Sequence, residues 1–235
     1  MRGLGTLVNV VTILAGTALG LVAGSRLGET VRTTVLAGIG LATLGVGTAS
    51  FLETGNAAFP VVAVVIGGLL GEVTGIEDRL AGLGDRLRRL GSRGGDVGER
   101  STFVEGFVLA TLTFCVGALA IVGSLQDGIR GDSELLLVKS ALDGVVAVVF
   151  AAAYGIGVGF AALSVLVVQG TLTVLGAIAG EALLSGRMVE ELEATGGLLI
   201  IGIGLRLLQI KDLRVGSFLP ALVLAPVLVA VFSGS

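Results

Sequence analysis

Long apolar runs recur along this chain, and each has about the length of a helix that crosses a lipid bilayer. One crossing takes about 20 residues, and eight runs approach that length, at roughly 4–24, 33–52, 57–75, 102–124, 140–157, 160–180, 194–210 and 216–232. Such runs favour spanning helices, because a helix satisfies its own backbone hydrogen bonds in lipid. We therefore predict an all-α polytopic membrane protein of eight transmembrane helices, or seven if one half of 140–180 is re-entrant.

The composition supports this class and argues against several functions. Charged residues make up 14% of the 235 residues, against about 25% in a soluble domain. The sequence has no histidine, a single Cys115 and no HExxH, GxSxG or Walker motif. We therefore predict no enzyme activity, no resident metal site and no cofactor. The chain also lacks a basic tail, so we expect the lipid bilayer and no nucleic acid as its partner.

The distribution of positive charge orients the chain in the membrane. Eleven Arg and Lys residues fall on one side of the predicted spans and four on the other. The larger group includes the six arginines of residues 76–101, and positive residues collect on the cytoplasmic side. We predict a multi-pass protein of the inner or plasma membrane, with residues 76–101 in the cytoplasm and both termini outside.

Residues 76–101 form the one sizeable polar segment of the sequence. Five apolar residues recur there with a spacing of four and three: Ile76, Leu80, Leu83, Leu87 and Leu90. This spacing predicts an amphipathic helix with arginines on its other faces. We expect the helix to lie on the cytoplasmic lipid surface, the alternative being a partner helix, and we interpret "SRGGDVGE" at 92–99 as a linker.

The sequence also indicates an inverted internal repeat. "GIGL" occurs at 38–41 and 202–205, and "AGTAL" at 15–19 matches "AGEAL" at 179–183 with the same offset. Spans one to three then correspond to spans six to eight, and an odd shift of five spans inverts one copy. The predicted segments are two three-helix repeats at 1–75 and 159–235, an amphipathic segment at 76–101 and a central helix pair at 102–158. Inverted repeats are typical of transporters.

Two strips of glycines with a spacing of four lie on single helix faces: Gly16, Gly20 and Gly24 in the first span, and Gly67, Gly71 and Gly75 in the third. Small residues at this spacing let neighbouring helices approach closely. We predict tight packing within the bundle, with the two strips against each other. A homodimer face is the alternative.

Charged residues at span ends are the first candidates for a solute path. Glu105 begins the fourth span and Asp143 the fifth, and the repeat relates them to each other. They are either a pair of gates for an ion or proton, or acids that complement the dipole of a helix N-terminus. Lys139 lies four residues before Asp143, where it can neutralise that carboxylate on the same helix face.

Uncharged polar residues inside the spans are the second group of candidates. Asn9 lies in the first span and Gln169 in the sixth, near repeat-related places. They either coordinate a solute or hydrogen-bond neighbouring helices. Thr195, followed by two glycines, opens the seventh span, where free N–H groups of a helix start can hold an anion.

Ser124, Gln126 and Asp127 form a third group, at the outer end of the fourth span. One interpretation is a solvated exit loop, with the helix broken at Gly128 and Gly131. The other is a polar site in which Gln126 and Asp127 face Lys139 and Asp143 at the mouth of a path.

Several long segments resemble one known family. They include "GTLVN" at 5–9, "FVEGFVLATLTFCVGALAIVGSLQDG" at 103–128, "KSALDG" at 139–144, "QGTLT" at 169–173, "ATGGLLIIGIGL" at 194–205 and "LPALVLAP" at 219–226. These segments are similar to the uncharacterised bacterial membrane proteins of YdfK/YqgA type, domain-of-unknown-function family 554. The resemblance implies an integral inner-membrane protein with a suspected transport role, and it brings no established substrate and no assigned site residues.

Two functional hypotheses follow. The repeat and the acids at span ends predict a transporter or channel for a small ion or polar solute, with a path between the half-repeats. The alternative is a membrane scaffold or regulator that transports nothing and acts through the amphipathic segment at 76–100. The sequence leaves the solute, its direction and any coupling ion open.

Overall fold

The computed structural model describes residues 2–24, 28–91, 97–180 and 186–232. These residues are almost entirely helical, and no strand occurs among them. The helices, in chain order, are α1 Leu4–Gly24, α2 Glu29–Leu52, α3 Ala58–Thr74, α4 Ile76–Gly91, α5 Val97–Val116, α6 Ala118–Arg130, α7 Glu134–Tyr154, α8 Gly157–Ala179, α9 Gly186–Leu207 and α10 Ala221–Phe232, with a 3₁₀ turn at Val215–Phe218. The predicted all-α membrane class is confirmed.

The structure bears on the predicted number of spans. Five helical segments of the described residues are long and apolar enough to cross a membrane, and seven if two bent helix pairs each count as one span. The bent pairs are α3 with α4, at 53°, and α5 with α6, at 56°. The second pair divides the predicted fourth span, and the predicted seventh span is the apolar part of α9, which begins with charged turns. A count of eight is therefore not confirmed.

The division of the long run at 140–180 follows the prediction. Helix α7 ends at Tyr154 and α8 begins at Gly157, and Gly155 adopts a positive φ of 75° that suits a glycine at this turn. The start of α7 differs from the prediction, because the helix already begins at Glu134. Lys139 and Asp143 therefore lie within α7, and Asp143 is not at a helix N-terminus.

Contacts between Cα atoms divide the chain into two compact units. The first, unit 1, comprises Met1–Leu36, Arg79–Cys115 and Leu119–Ile178, and unit 2 comprises Ala37–Asp78, Val116–Ala118 and Ala179–Ser235. The four segments predicted from the internal repeat are defined by sequence similarity, whereas these two units are defined by contacts. The units therefore do not test the predicted boundaries, which stay a prediction.

In unit 1, the glycine strip of α1 packs on α7. A methyl group added at Gly16 would overlap the carbonyl oxygen of Gly144, and one at Gly20 would overlap that of Val148. Gly24 lies against the backbone of Ala152 in the same way. Residue numbers rise together along the two contacting faces, so α1 and α7 run parallel with their backbones in close contact.

In unit 2, Gly67 and Gly71 of α3 pack on the segment that leads into α10. Their backbones meet Ala221 and Ser217. Gly75 is the left-handed C-cap of α3, with φ of 65°, and does not belong to the packing face. The prediction that the two strips pack on each other is wrong, because small residues permit a close approach without specifying the partner. A homodimer through either strip would require these intramolecular contacts to separate.

The predicted amphipathic helix is present as α4. Gly84 of α4 lies against the ring of Phe107 in α5, and Leu83 is 43% exposed. Part of the predicted linker, residues 92–96, lies outside the described residues, and residues 97–99 belong to α5 instead. The cytoplasmic position of this segment stays a prediction.

Candidate functional site

A buried ion pair lies inside α7, away from both helix ends. The ammonium of Lys139 contacts Oδ2 of Asp143, and the amide of Asn9 in α1 donates to the same oxygen at 3.0 Å. Lys139 and Asp143 are only 4% and 7% exposed, and Asn9 is fully buried. The structure thus brings together three residues that the sequence singled out.

The packing of α1 on α7 explains this arrangement. The side chain of Thr12 lies against Gly144 and Gly16 meets the backbone of the same residue, so Asn9, one turn earlier on α1, comes level with Asp143. Burying a charge inside a membrane protein costs at least about 2.5 kcal/mol. The pair is neutral as a whole, and removing either partner of a buried pair typically costs about 3–5 kcal/mol.

Several buried polar atoms of α1 and α8 have no hydrogen-bond partner within the described part of the chain. They include Oδ1 of Asn9 and both amide atoms of Gln169 in α8, a residue that is fully buried. An unsatisfied buried polar group costs about 1–3 kcal/mol, so such groups indicate a site for water or a ligand.

Gln169 lies at nearly the same depth as Asn9. Helix α8 runs antiparallel to α1, because Thr17 lies against Gly159 while Thr6 lines one cavity with Gly170. From the Thr17–Gly159 contact, Asn9 is about 12 Å along α1 and Gln169 about 15 Å along α8 in the same direction. The two amides therefore differ in depth by less than one helical turn.

The open cavity between α1 and α8 has a volume of about 420 Å³ and a mainly apolar lining, to which Arg2, before α1, also belongs. Thr6 and Thr173 line it, and their hydroxyls have no partner among the described residues. Thr6 precedes Asn9 by three residues and Thr173 follows Gln169 by four, spacings that share a helix face. On α1, unsatisfied oxygens thus extend from the cavity to Asn9, which contacts the ion pair.

Asp127 belongs to a separate cluster nearer the start of α7. It is fully buried and accepts hydrogen bonds from the Gly3 backbone N–H at 2.9 Å and the Ser133 hydroxyl at 3.0 Å. Ser133 precedes Lys139 by six residues, or about 9 Å of helix. The structure therefore does not place Asp127 beside Lys139 and Asp143, and its bonds hold the chain before α1.

The predicted exit loop after the fourth span is helical. Helix α6 continues to Arg130, so Ser124, Gln126 and Asp127 all lie within it, and Ser124 donates to the carbonyl oxygen of Ala120. Of the two glycines proposed to break the helix, Gly131 forms the turn, with φ of 70°. Gly128 instead packs on the backbone of Thr173.

Glu105 does not converge with Asp143. It is the ninth residue of α5 and half-buried, and the next residue, Gly106, lies against Tyr154 at the end of α7. Asp143 is eleven residues before Tyr154, which is about 16 Å along the helix. The two acids therefore do not converge on one cavity, and their role as a pair of gates stays a prediction.

In unit 2, Thr195 lies inside α9 and not at a helix start. Its hydroxyl donates to the carbonyl oxygen of Glu191 at 2.6 Å, and the following glycines have intrahelical positions. Gly197 meets the backbones of Gly47 and Phe51. The predicted anion cradle is wrong, because α9 begins at Gly186 and the free N–H groups of its first turn lie well before Thr195.

Sequence reasoning missed the buried carboxylates of unit 2. Glu191 is 1% exposed and accepts hydrogen bonds from Thr54 at 2.6 Å and from the Asn56 backbone at 2.9 Å. Glu77 accepts from Arg206 at 3.0 Å and from the Gly216 backbone at 2.6 Å. Both acids directly flank apolar runs in the sequence, and this position was the signal that could have identified them as buried.

A further ion-pair group ties the α3–α4 junction to the segment before α10. Arg214 contacts Glu72 at 2.9 Å and Asp78 at 2.7 Å. The hydrogen bond to Asp78, aided by the charges of Asp78, Glu72 and Glu77, raises the pKa of the Arg214 guanidinium. Arg214 thus connects two acids of the α3–α4 junction to the segment before α10.

Part of the chain is similar in sequence to a protein whose name describes a transport role. A protein of Syntrophotalea carbinolica named "Putative manganese efflux pump MntP" is 34% identical over 107 residues, which cover 41% of this chain and 56% of that protein. No solved structure matches the chain.

Similarities over nearly the whole chain define the family. Uncharacterized protein YqgA of Escherichia coli is 31% identical over 222 residues, which cover 94% of each chain. Uncharacterized membrane protein YdfK of Bacillus subtilis is 29% identical over 231 residues, covering 97% of this chain and 96% of that protein. The family model "Protein of unknown function (DUF554)" matches residues 4–230. The chain therefore belongs to the DUF554 family of membrane proteins.

Proposed function

We propose that the protein is a transporter or channel for a small ion or polar solute, with a path along α1 and α8 to the Lys139–Asp143 pair. The observation that carries the proposal is an ion pair buried within a spanning helix, with the unsatisfied carbonyl oxygen of Asn9 beside it. Ionisable residues inside spanning segments are expensive and are typically found along solute pathways.

Contacts between helices that correspond to each other in the predicted internal repeat support this proposal. In unit 1, α1 from the first predicted repeat contacts α8 from the second, in opposite directions. In unit 2, α3 meets the start of α10, and Gly40 of α2 lies against Gly204 of α9. Gly40 and Gly204 occupy the same place in the two "GIGL" copies. Contacts between inverted copies are where transporters hold their solutes.

The similarity to MntP supports a metal ion as the first solute to test. It covers less than half of this chain, so the manganese specificity of this protein is part of the proposal. The proposal also keeps the inner membrane, the cytoplasmic position of residues 76–101 and the outer position of both termini as its topology.

Reconstitution into liposomes tests the transport function. Purified protein is screened for fluxes of metal ions, amino acids and organic acids, and the active solute is then measured with Asp143→Asn. We expect that variant to lose at least about 90% of the initial rate, a loss of about 1.4 kcal/mol or more in transition-state stabilisation.

Glu134→Gln is the matched control, because Glu134 is an exposed acid in the first turn of the same helix. It should retain the wild-type rate. A folded wild-type protein that moves no tested solute would contradict the transport function, and equal rates in Asp143→Asn and wild type would contradict the path.

The scaffold is the second candidate, and the exposed part of α4 favours it. Leu83, Arg86 and Arg89 are exposed on this helix, where an amphipathic surface can bind lipid or a partner. Deleting residues 76–100 would also remove Glu77 and its hydrogen bonds. The double variant Leu83→Gln, Arg86→Gln is therefore the sharper test. If the protein is a transporter, this double variant keeps the flux. If the protein is a scaffold, the double variant loses the cellular phenotype of the wild type, whereas Asp143→Asn keeps that phenotype.

A further inference from the structure

Building on the proposed transport function, we infer that the solute is a cation that displaces the ammonium of Lys139 from Asp143. In the empty protein, Lys139 thus occupies the place of the transported ion. Binding moves the ammonium aside without any proton transfer, and release restores the neutral pair.

The carboxylate of Asp143 has an oxygen available for such an ion. Both Asn9 and Lys139 bond to Oδ2, and no residue that the structure describes donates a hydrogen bond to Oδ1. Because the amide nitrogen of Asn9 contacts Asp143, the carbonyl oxygen of the same amide lies next to the carboxylate. That oxygen is buried and has no partner within the described ranges.

The surplus of oxygen atoms favours a cation over an anion. Buried oxygens on α1 and α8 without a partner among the described residues belong to Thr6, Asn9, Thr17, Gln169 and Thr173, and the corresponding nitrogen is that of Gln169 alone. Carboxylate, amide and hydroxyl oxygens are the ligands of hard cations. The threonine hydroxyls can also donate to an anion, so the preference for a cation comes from the Asp143 carboxylate and the Asn9 carbonyl oxygen, which can only accept.

Lys139 has a second place to go when it leaves Asp143. While it contacts Asp143, its ammonium nitrogen lies 6.0 Å from the ring centroid of Phe114, a fully buried residue of α5, at the outer limit of a cation–π contact. An ammonium is attracted to an aromatic face at this distance, by about 2 kcal/mol where water is excluded. The side chain can therefore move between the carboxylate and the ring without entering lipid.

The charge of the site is suited to release as well as binding. Asp143 is the one carboxylate of the cluster, and no group of three metal-binding acids or thiols occurs among the described residues. A site made of one carboxylate and neutral oxygens binds a cation weakly, and the tethered ammonium competes for the same place. Transport requires binding that is weak enough for the ion to leave.

Substrate affinity in proteoliposomes tests this inference. Uptake of Mn²⁺, Mg²⁺, Na⁺ and K⁺ is measured as chloride salts, with N-methylglucamine chloride as the background salt. In Lys139→Gln the competing ammonium is gone, so KM should fall by about tenfold if Lys139 occupies the site in about nine of ten empty molecules. In Asp143→Asn, saturable cation uptake should disappear.

The opposite pattern would overturn the inference. An anion that is transported by wild type, lost in Lys139→Gln and bound more tightly in Asp143→Asn would show that Lys139 is the binding group. An unchanged KM in Lys139→Gln would show that the ion pair is only structural. Absence of any flux in folded wild-type protein would instead contradict the proposed function itself.

A second variant keeps the test valid if Lys139→Gln does not fold. Phe114→Leu retains every charge but removes the ring that receives the ammonium, so Lys139 should stay on Asp143 and KM should rise by about threefold to tenfold. Phe107→Leu is the matched control, because it removes a buried ring of the same helix that packs on Gly84. An equal KM in both variants would contradict the displacement of Lys139.

Discussion

The Asp143 cluster of unit 1 and the Glu77 cluster of unit 2 bury carboxylates in different ways. Glu77 uses both oxygens, one toward Arg206 and one toward the Gly216 backbone. Asp143 places Asn9 and Lys139 on one oxygen, and the carbonyl oxygen of Asn9 beside it has no partner among the described residues. Complete pairing holds a fold rigid, whereas incomplete pairing next to a movable ammonium leaves room for a solute.

The largest expected effect breaks the ion pair of unit 1. Lys139→Met should lower the free energy of unfolding by about 3–5 kcal/mol, because it leaves Asp143 charged and unpaired. Adding Asp143→Leu should restore stability to within about 1 kcal/mol of wild type, since apolar residues replace a buried pair at little cost. Unfolding in mixed detergent micelles measures both. A double variant as unstable as the single one would show that the pair is needed for folding.

The next effect concerns the Glu77 cluster. Glu77→Gln should destabilise the protein by about 1.5–3 kcal/mol, the range for hydrogen bonds to charged groups, while KM for the transported solute stays unchanged. The same unfolding measurement, combined with uptake in proteoliposomes, checks both outcomes. A change in KM as large as that in Asp143→Asn would remove the distinction between the two clusters.

Gln169→Leu should have a smaller effect, and it should stabilise the fold while it slows transport. Replacing a buried amide without partners by an apolar side chain of similar size should stabilise the protein by about 1–3 kcal/mol. The uptake rate should fall, because an oxygen of the path is lost. Destabilisation would mean that the amide has a structural partner in the folded protein.

The smallest effect is expected at the exposed end of α7. Glu134→Gln removes an acid from the first helical turn, where its interaction with the helix dipole contributes about 0.3–1 kcal/mol. Transport should be unaffected. Thermal unfolding and initial uptake rates, measured beside Asp143→Asn, show whether position within α7 decides the function of an acid.

Much of the fold was predictable because lipid imposes a simple rule on sequence. The apolar runs predict helices that the structure confirms, including the separation of α7 from α8 at the glycines after Tyr154. Helix ends were less predictable. Helix α6 extends over Gln126 and Asp127, and α7 begins before Lys139. A tertiary hydrogen bond from Gly3 satisfies Asp127, and Lys139 pairs with Asp143 within α7, so these polar residues can lie inside helices.

The candidate site was predictable as a set of residues but not as an arrangement. Asn9, Lys139, Asp143 and Gln169 were identified because polar groups are rare in these runs. Their distances were not predictable, since Asn9 and Asp143 are 134 residues apart. Glu105 had the same sequence signal as Asp143, yet it lies about 16 Å away along α7.

The sequence by itself determined the membrane class, the helical architecture and the short list of polar residues, because burying apolar runs in lipid depends on composition and length alone. The tertiary structure decided which glycine faces meet, and therefore which polar residues meet. Gly16 and Gly20 permit close contact with any smooth helix, but their contact with Gly144 and Val148 of α7 brings Asn9 to Asp143. A small residue only permits an approach, and the partner is chosen by the packing of all helices together.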